Sequence, residues 1–108
     1  MGNVIGRFYF KQTNNRNLLG EYSNNGSIHN ASESSDFLKS DSEDKFIGEF
    51  KTTWFENGAN LLTLEIIYKV GSNNKLYTLQ WKDKSGTTRF YGEGFLVDDI
   101  LIGDYRDL

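Results

Sequence analysis

Apolar and polar residues alternate along most of this chain, and a period of two predicts strands rather than helices. The pattern is cleanest from Lys45 onward. Over 46–55, Phe46, Gly48, Phe50, Thr52 and Trp54 fall on one face and Ile47, Glu49, Lys51, Thr53 and Phe55 on the other. Asn57-Gly58 interrupts the pattern, and the next strand lines one face with Leu62, Leu64, Ile66, Tyr68 and Val70. Gly71 to Asn74 turns the chain into Tyr77, Leu79 and Trp81; Asp83 to Gly86 turns it again into Phe90, Gly92, Gly94 and Leu96. Asp98-Asp99 leads to a last strand with Leu101, Gly103 and Tyr105 together.

Upstream, Val4 to Gln12 reads as a strand with Gly6, Phe8 and Phe10 on one face, and Asn14-Asn15 turns it into Leu18 to Asn24. Asn25-Gly26 is a strong two-residue hairpin signal, which predicts a third strand near 27–34. From Ser32 to Asp44 the chain is mostly serine and acid, with Phe37 and Leu38 as its apolar content. A polar acidic loop around 34–44 is therefore expected, dispensable for the fold and able to serve as a lid, and a short helix fits the stretch equally well. The count is eight strands with mostly hairpin-length turns, which implies sequence neighbours paired antiparallel. The expected fold is all-β, an up-and-down antiparallel barrel in a single domain spanning 1–108, since closure removes the exposed edges.

One short pattern recurs: Gly6-Arg7-Phe8, Gly20-Glu21-Tyr22, Gly48-Glu49-Phe50 and Gly103-Asp104-Tyr105, with Gly92-Glu93-Gly94 as a variant. Glycine weakens a strand, so its repetition on one face calls for a steric cause, such as tight coiling with neighbouring rings laid over the backbone. These strands and the terminal Leu101-Ile102-Gly103-Asp104-Tyr105 resemble the calycin group of barrels, lipocalins and avidins, with Phe8 standing where lipocalins have the Trp of Gly-x-Trp. The resemblance implies a barrel that admits ligands at one open end.

Composition narrows the chemistry. With 37% hydrophobic and 15% aromatic residues, the core must rest on rings. No cysteine is present, which removes disulfides, thiolate metal sites and cysteine nucleophiles, and His29 is the single histidine. No nucleophile, base and orienter stand together, so the residues do not point to an enzyme, and no motif calls for a cofactor or metal. The net charge of −3 is spread along the chain without a basic stripe, so no nucleic-acid partner is expected. No apolar run approaches membrane-spanning length and no signal-like start is present, so no membrane partner is expected and the default location is cytoplasmic.

The inward face offers six rings with polar tips as candidate ligand-binding residues: Tyr22, Trp54, Tyr68, Tyr77, Trp81 and Tyr105. They either fill the barrel or line a pocket for a small apolar or aromatic ligand. Glu49, Glu65 and Glu93 fall outward beside Lys51, Lys69 and Arg89, as cross-strand ion pairs would. Phe95, Val97, Ile100 and Ile102 also fall outward, on the last hairpin, and form a candidate interface for a homodimer. Two functional classes thus stay open: a ligand-binding barrel, and an interaction or assembly domain acting through its outer face.

Overall fold

The sheet has no free edge. In a computed structural model that describes residues 3–26 and 29–108, strands β1 (Ile5–Gln12), β2 (Leu18–Asn24), β3 (Ala31–Lys39), β4 (Gly48–Phe55), β5 (Ala59–Tyr68), β6 (Tyr77–Lys82), β7 (Thr88–Val97) and β8 (Ile100–Asp107) follow one another in sequence order. Each pairs antiparallel with the next, and β8 pairs with β1 to close an eight-stranded up-and-down barrel. This order places the start of β1, the end of β8 and the β2–β3, β4–β5 and β6–β7 connections at one end, called upper below. The other four connections lie at the lower end. Among the described residues, no helix is long and apolar enough to cross a membrane.

Alternation decides which side chains enter the barrel. Phe10, Leu18, Phe50, Leu64, Ile66, Leu79 and Leu101 have almost no exposed area and form an apolar core. At Asp98 and Asp99, φ is 51° and 68°, the pair of left-handed residues that a two-residue turn matching the strand twist requires.

The glycine pattern has two physical roles. A Cβ on Gly6 would lie 2.6 Å from the Tyr105 ring, and one on Gly92 would meet the rings of Phe8 and Trp81 at 3.3 Å. The expected overlay of rings is therefore real at these positions. At Gly6, Gly20, Gly92, Gly94 and Gly103 alike, however, the first obstacle is a carbonyl of a neighbouring strand, from Ser23, Tyr9, Asp104, Ile102 and Glu93 respectively. There the missing side chain chiefly lets two backbones approach, which is what a small, strongly coiled barrel demands.

The third strand differs from expectation. Asn25-Gly26 does not close a tight hairpin, because Asn25 stays tied to β1: its N–H donates to the Ile5 carbonyl at 3.0 Å and its side-chain oxygen accepts from the Ile5 N–H at 3.0 Å. The strand predicted near 27–34, of which 27 and 28 lie outside the described residues, instead spans Ala31–Lys39. Most of the stretch expected as a loop around 34–44 is thus barrel wall. Its alternation is present but carried by polar side chains: Glu33 and Ser35 point inward and are buried, while Ser32, Ser34 and Asp36 are exposed.

What remains of the loop, residues 40–47, packs over the lower end of the barrel. Arg16 donates to the carbonyls of Ser42, Asp44 and Ile47 at 3.2, 3.0 and 3.2 Å, and lies 4.5 Å from the centroid of the Phe37 ring. The Asp44 carboxylate accepts the hydroxyls of Tyr68 and Tyr77 at 2.6 and 2.7 Å, and Phe46 is buried beside Tyr77. Burial alone would raise the Asp44 pKa, but these two hydroxyls, the Phe46 N–H and the charge of Arg16 outweigh it and hold the carboxyl below its usual range.

Candidate functional site

Four rings form a collar in the upper half. Tyr22 from β2, Trp54 from β4, Phe90 from β7 and Tyr105 from β8 each stand edge-on to the next, with centroids 6.5, 6.3, 6.1 and 6.2 Å apart around the circuit. Edge-to-face contact is the favoured arrangement for aromatic pairs, so the collar supports itself. Inside it lies a cavity of about 320 Å3, lined at its rim by Glu56, Asn60 and Arg89. Phe8 and Trp81, edge-on at 5.8 Å, form its floor together with Glu33.

Glu33 is held there by the pairing of β3 between β2 and β4, which sets it opposite Gly20 and Trp54. Facing a glycine leaves room for its carboxyl to enter the barrel. One carboxyl oxygen, Oε2, accepts the Thr52 hydroxyl at 2.5 Å and the Trp81 indole N–H at 2.8 Å. Thr52 in turn is 2.7 Å from the Ser35 hydroxyl, so three strands contribute to one buried polar network. Among the described residues, no hydrogen bond reaches the other oxygen, Oε1, and the residue lines the cavity. Only 5% of the residue is exposed, and burial pushes its pKa up to about 7 even though the bonds from Thr52 and Trp81 favour the ionised form.

Two hydroxyls face the same space. Burial, with the nearby Glu56, Tyr105 and Glu33, raises the Tyr22 pKa, and burial does the same for Tyr105. Both therefore stay protonated at neutral pH. Tyr105 Oη accepts from Asn24 at 2.9 Å, which leaves its own proton available to the cavity.

Of the six rings named from sequence, the cavity gathers Tyr22, Trp54, Trp81 and Tyr105. Tyr68 and Tyr77 are not part of it. They lie at the lower end of β5 and β6, where their hydroxyls are committed to Asp44; period two gives the face of a strand but not the height along it. Phe8 and Phe90 were legible as inward residues but drew no attention because they lack a polar tip. Glu33 was missed altogether, since an acid in a serine-rich run reads as solvated; the visible signal was the alternation of Glu33, Ser35 and Phe37 against Ser34 and Asp36.

On the outer face, Phe95, Val97 and Ile102 are 49%, 41% and 38% exposed, and Ile100 is half-buried. Register sets Phe95 beside Ile102 and Ile102 beside Tyr9, an apolar row across three strands. The outward glutamates do form ion pairs, but with partners other than several expected ones: Glu65 with Lys82 and Glu93 with Lys69, both at 2.9 Å, and Glu49 with Lys39 at 4.0 Å. Arg89 pairs with Asp83 at 3.7 Å.

Comparison with protein-family models, with curated proteins and with solved structures finds no match to this chain.

Proposed function

We propose that this chain is a small-molecule binding protein that admits a flat, apolar or aromatic ligand through the upper end of the barrel, the mode of entry of the calycin-like barrels it resembles. The observation that carries the reading is the aromatic collar around a cavity of about 320 Å3, a volume within the range of small-ligand sites, which begins near 300 Å3. A barrel built only for stability would fill this space, as the lower half does with Leu64, Ile66, Leu79 and Leu101. Instead the upper half combines apolar walls with a few convergent polar atoms, which is the composition of a site that orients a ligand.

The reading is tested with indole and 2-naphthol, followed by the ring proton resonances of Trp54 and Trp81. Saturable shifts in the wild type, abolished by the cavity-filling Leu62→Trp in a variant whose circular dichroism is unchanged, support it. Absence of any saturable shift in the wild type, or binding that persists in the filled variant, overturns it.

A second reading, assembly as a homodimer, is supported by the outward row of Phe95, Ile102 and Tyr9 with Val97 and Ile100 beside it. It uses a surface remote from the cavity and is compatible with ligand binding.

A further inference from the structure

Resting on the cavity as a ligand site, we infer that the ligand is an organic cation: an aromatic molecule whose protonated nitrogen donates to Glu33 Oε1 at the cavity floor. Three observations converge on this chemistry. First, Glu33 is a buried carboxylate without a basic partner among the described residues, whose four ion pairs all lie elsewhere, and Arg89, the basic residue at the rim, is turned toward Asp83. A buried charge without a countercharge is costly, and a cationic ligand supplies the missing one. Second, the protein's own contacts to the carboxyl are both donors, the Thr52 hydroxyl and the Trp81 indole N–H, and both fall on Oε2. Among the described residues none donates to Oε1, so an ionised Glu33, whose side chain lines the cavity, keeps an acceptor for a ligand. Third, the way in is walled by the faces and edges of Tyr22, Trp54, Phe90 and Tyr105, and aromatic rings attract cations through their electron-rich faces. Glu56 at the rim adds a second negative charge along the path.

An anionic ligand would meet Glu33 at the floor, and a neutral aromatic would fill the collar but leave the carboxylate without a countercharge. Charge therefore discriminates among ligands of one shape. Benzamidine, benzamide and benzoate share a ring and a planar head group, and differ in charge at pH 7.5.

The experiment measures the affinity of all three for the wild type and for Glu33→Gln by the Trp81 indole N–H resonance and by calorimetry. In the wild type, benzamidine is expected to bind at least about tenfold tighter than benzamide, the scale of a hydrogen bond to a charged group, with benzoate weakest. Glu33→Gln is expected to bring benzamidine down to the level of benzamide while benzamide binding changes little. Should the variant not fold, the wild-type ranking decides alone, read with the Trp81 indole N–H resonance, which reports on the carboxyl it is bonded to. Benzamide binding as tightly as benzamidine in the wild type, or a cation preference that survives Glu33→Gln, overturns the cation inference and leaves the cavity reading standing. Failure of all three probes and of the neutral aromatics to bind overturns both.

Discussion

Replacing Glu33 by Gln is expected to stabilise the protein at neutral and alkaline pH and to leave it almost unchanged in mild acid. The Gln side-chain oxygen can accept from Thr52 and Trp81 as Oε2 does, and its amide then faces the cavity, so the packing is preserved without the charge. Burial lifts the Glu33 pKa from an ordinary 4.5 to about 7. At about 1.4 kcal/mol per pH unit, this difference amounts to about 3 kcal/mol. The direction follows from proton binding: between pH 4.5 and 7 the folded protein holds a proton on Glu33 that the unfolded chain has released, so stability falls as pH rises. Glu33 thus contributes its full share below pH 4.5 and has lost it above about pH 7.

The assay is urea unfolding of both proteins from pH 4 to pH 8. The difference between the two curves isolates Glu33, because the other carboxyls titrate alike in both. At pH 8 the variant should be more stable by up to about 3 kcal/mol, which at about 4 °C per kcal/mol for a chain of this size is a melting temperature roughly 10 °C higher. At pH 4 the two should coincide. Parallel curves separated by a constant amount would refute the reasoning, since they would mean that the cavity hydrates the carboxylate as well as bulk water does.

Three further outcomes are expected. Asp44→Asn should cost about 1 to 3 kcal/mol, because the amide cannot serve both tyrosine hydroxyls and the Phe46 N–H, and chemical denaturation measures it; in the wild type, stability should also fall as pH drops through the depressed Asp44 pKa, below its ordinary value of 3.8. Gly20→Ala should cost about 3 kcal/mol or more, as its Cβ would collide with the Tyr9 carbonyl and lie 2.9 Å from the Phe10 ring, and a thermal melt equal to the parent's would contradict this. The wild type should be a dimer at micromolar concentration and the double variant Phe95→Glu with Ile102→Lys a folded monomer; light scattering that finds a monomeric parent, or a variant that still dimerises, removes the outer row as an interface.

Legibility from the sequence followed the hydrophobic signal. From β4 to β8 the alternation was carried by Phe, Leu, Ile and Trp, and strands, faces and barrel order could all be read. In β3 the inward positions are Glu33 and Ser35, and burial of polar groups leaves no hydrophobic trace, so this wall strand passed for a loop. The same blindness hid the acid at the base of the cavity, because what buries Glu33 is the pairing of β3 with partners distant in sequence. Tyr68 and Tyr77 fall outside the cavity for a different reason. They flank the β5–β6 connection, which the up-and-down order puts at the lower end, where Asp44 takes both hydroxyls.

The network at the cavity floor separates what the fold requires from what a ligand would require. Trp81 needs an acceptor, since an orphaned buried indole N–H would cost about 1 to 3 kcal/mol, whereas Thr52 has the Ser35 hydroxyl and the Ser34 carbonyl within reach; the indole alone disfavours an apolar residue at position 33. Yet a glutamine satisfies both donors and avoids the charge, so structural need accounts for an oxygen at this place and not for a carboxylate. The charge is the part that packing leaves unexplained. It also sits where it can act, at the floor of the aromatic-walled cavity and out of reach of the surface ion pairs. A residue expected to lower stability at neutral pH, in a position where its neutral isostere is expected to raise it, has a physical rationale when a positively charged partner arrives from outside. Glu33→Gln tests both halves of this argument, because the substitution that improves the fold should be the one that removes the preference for cations.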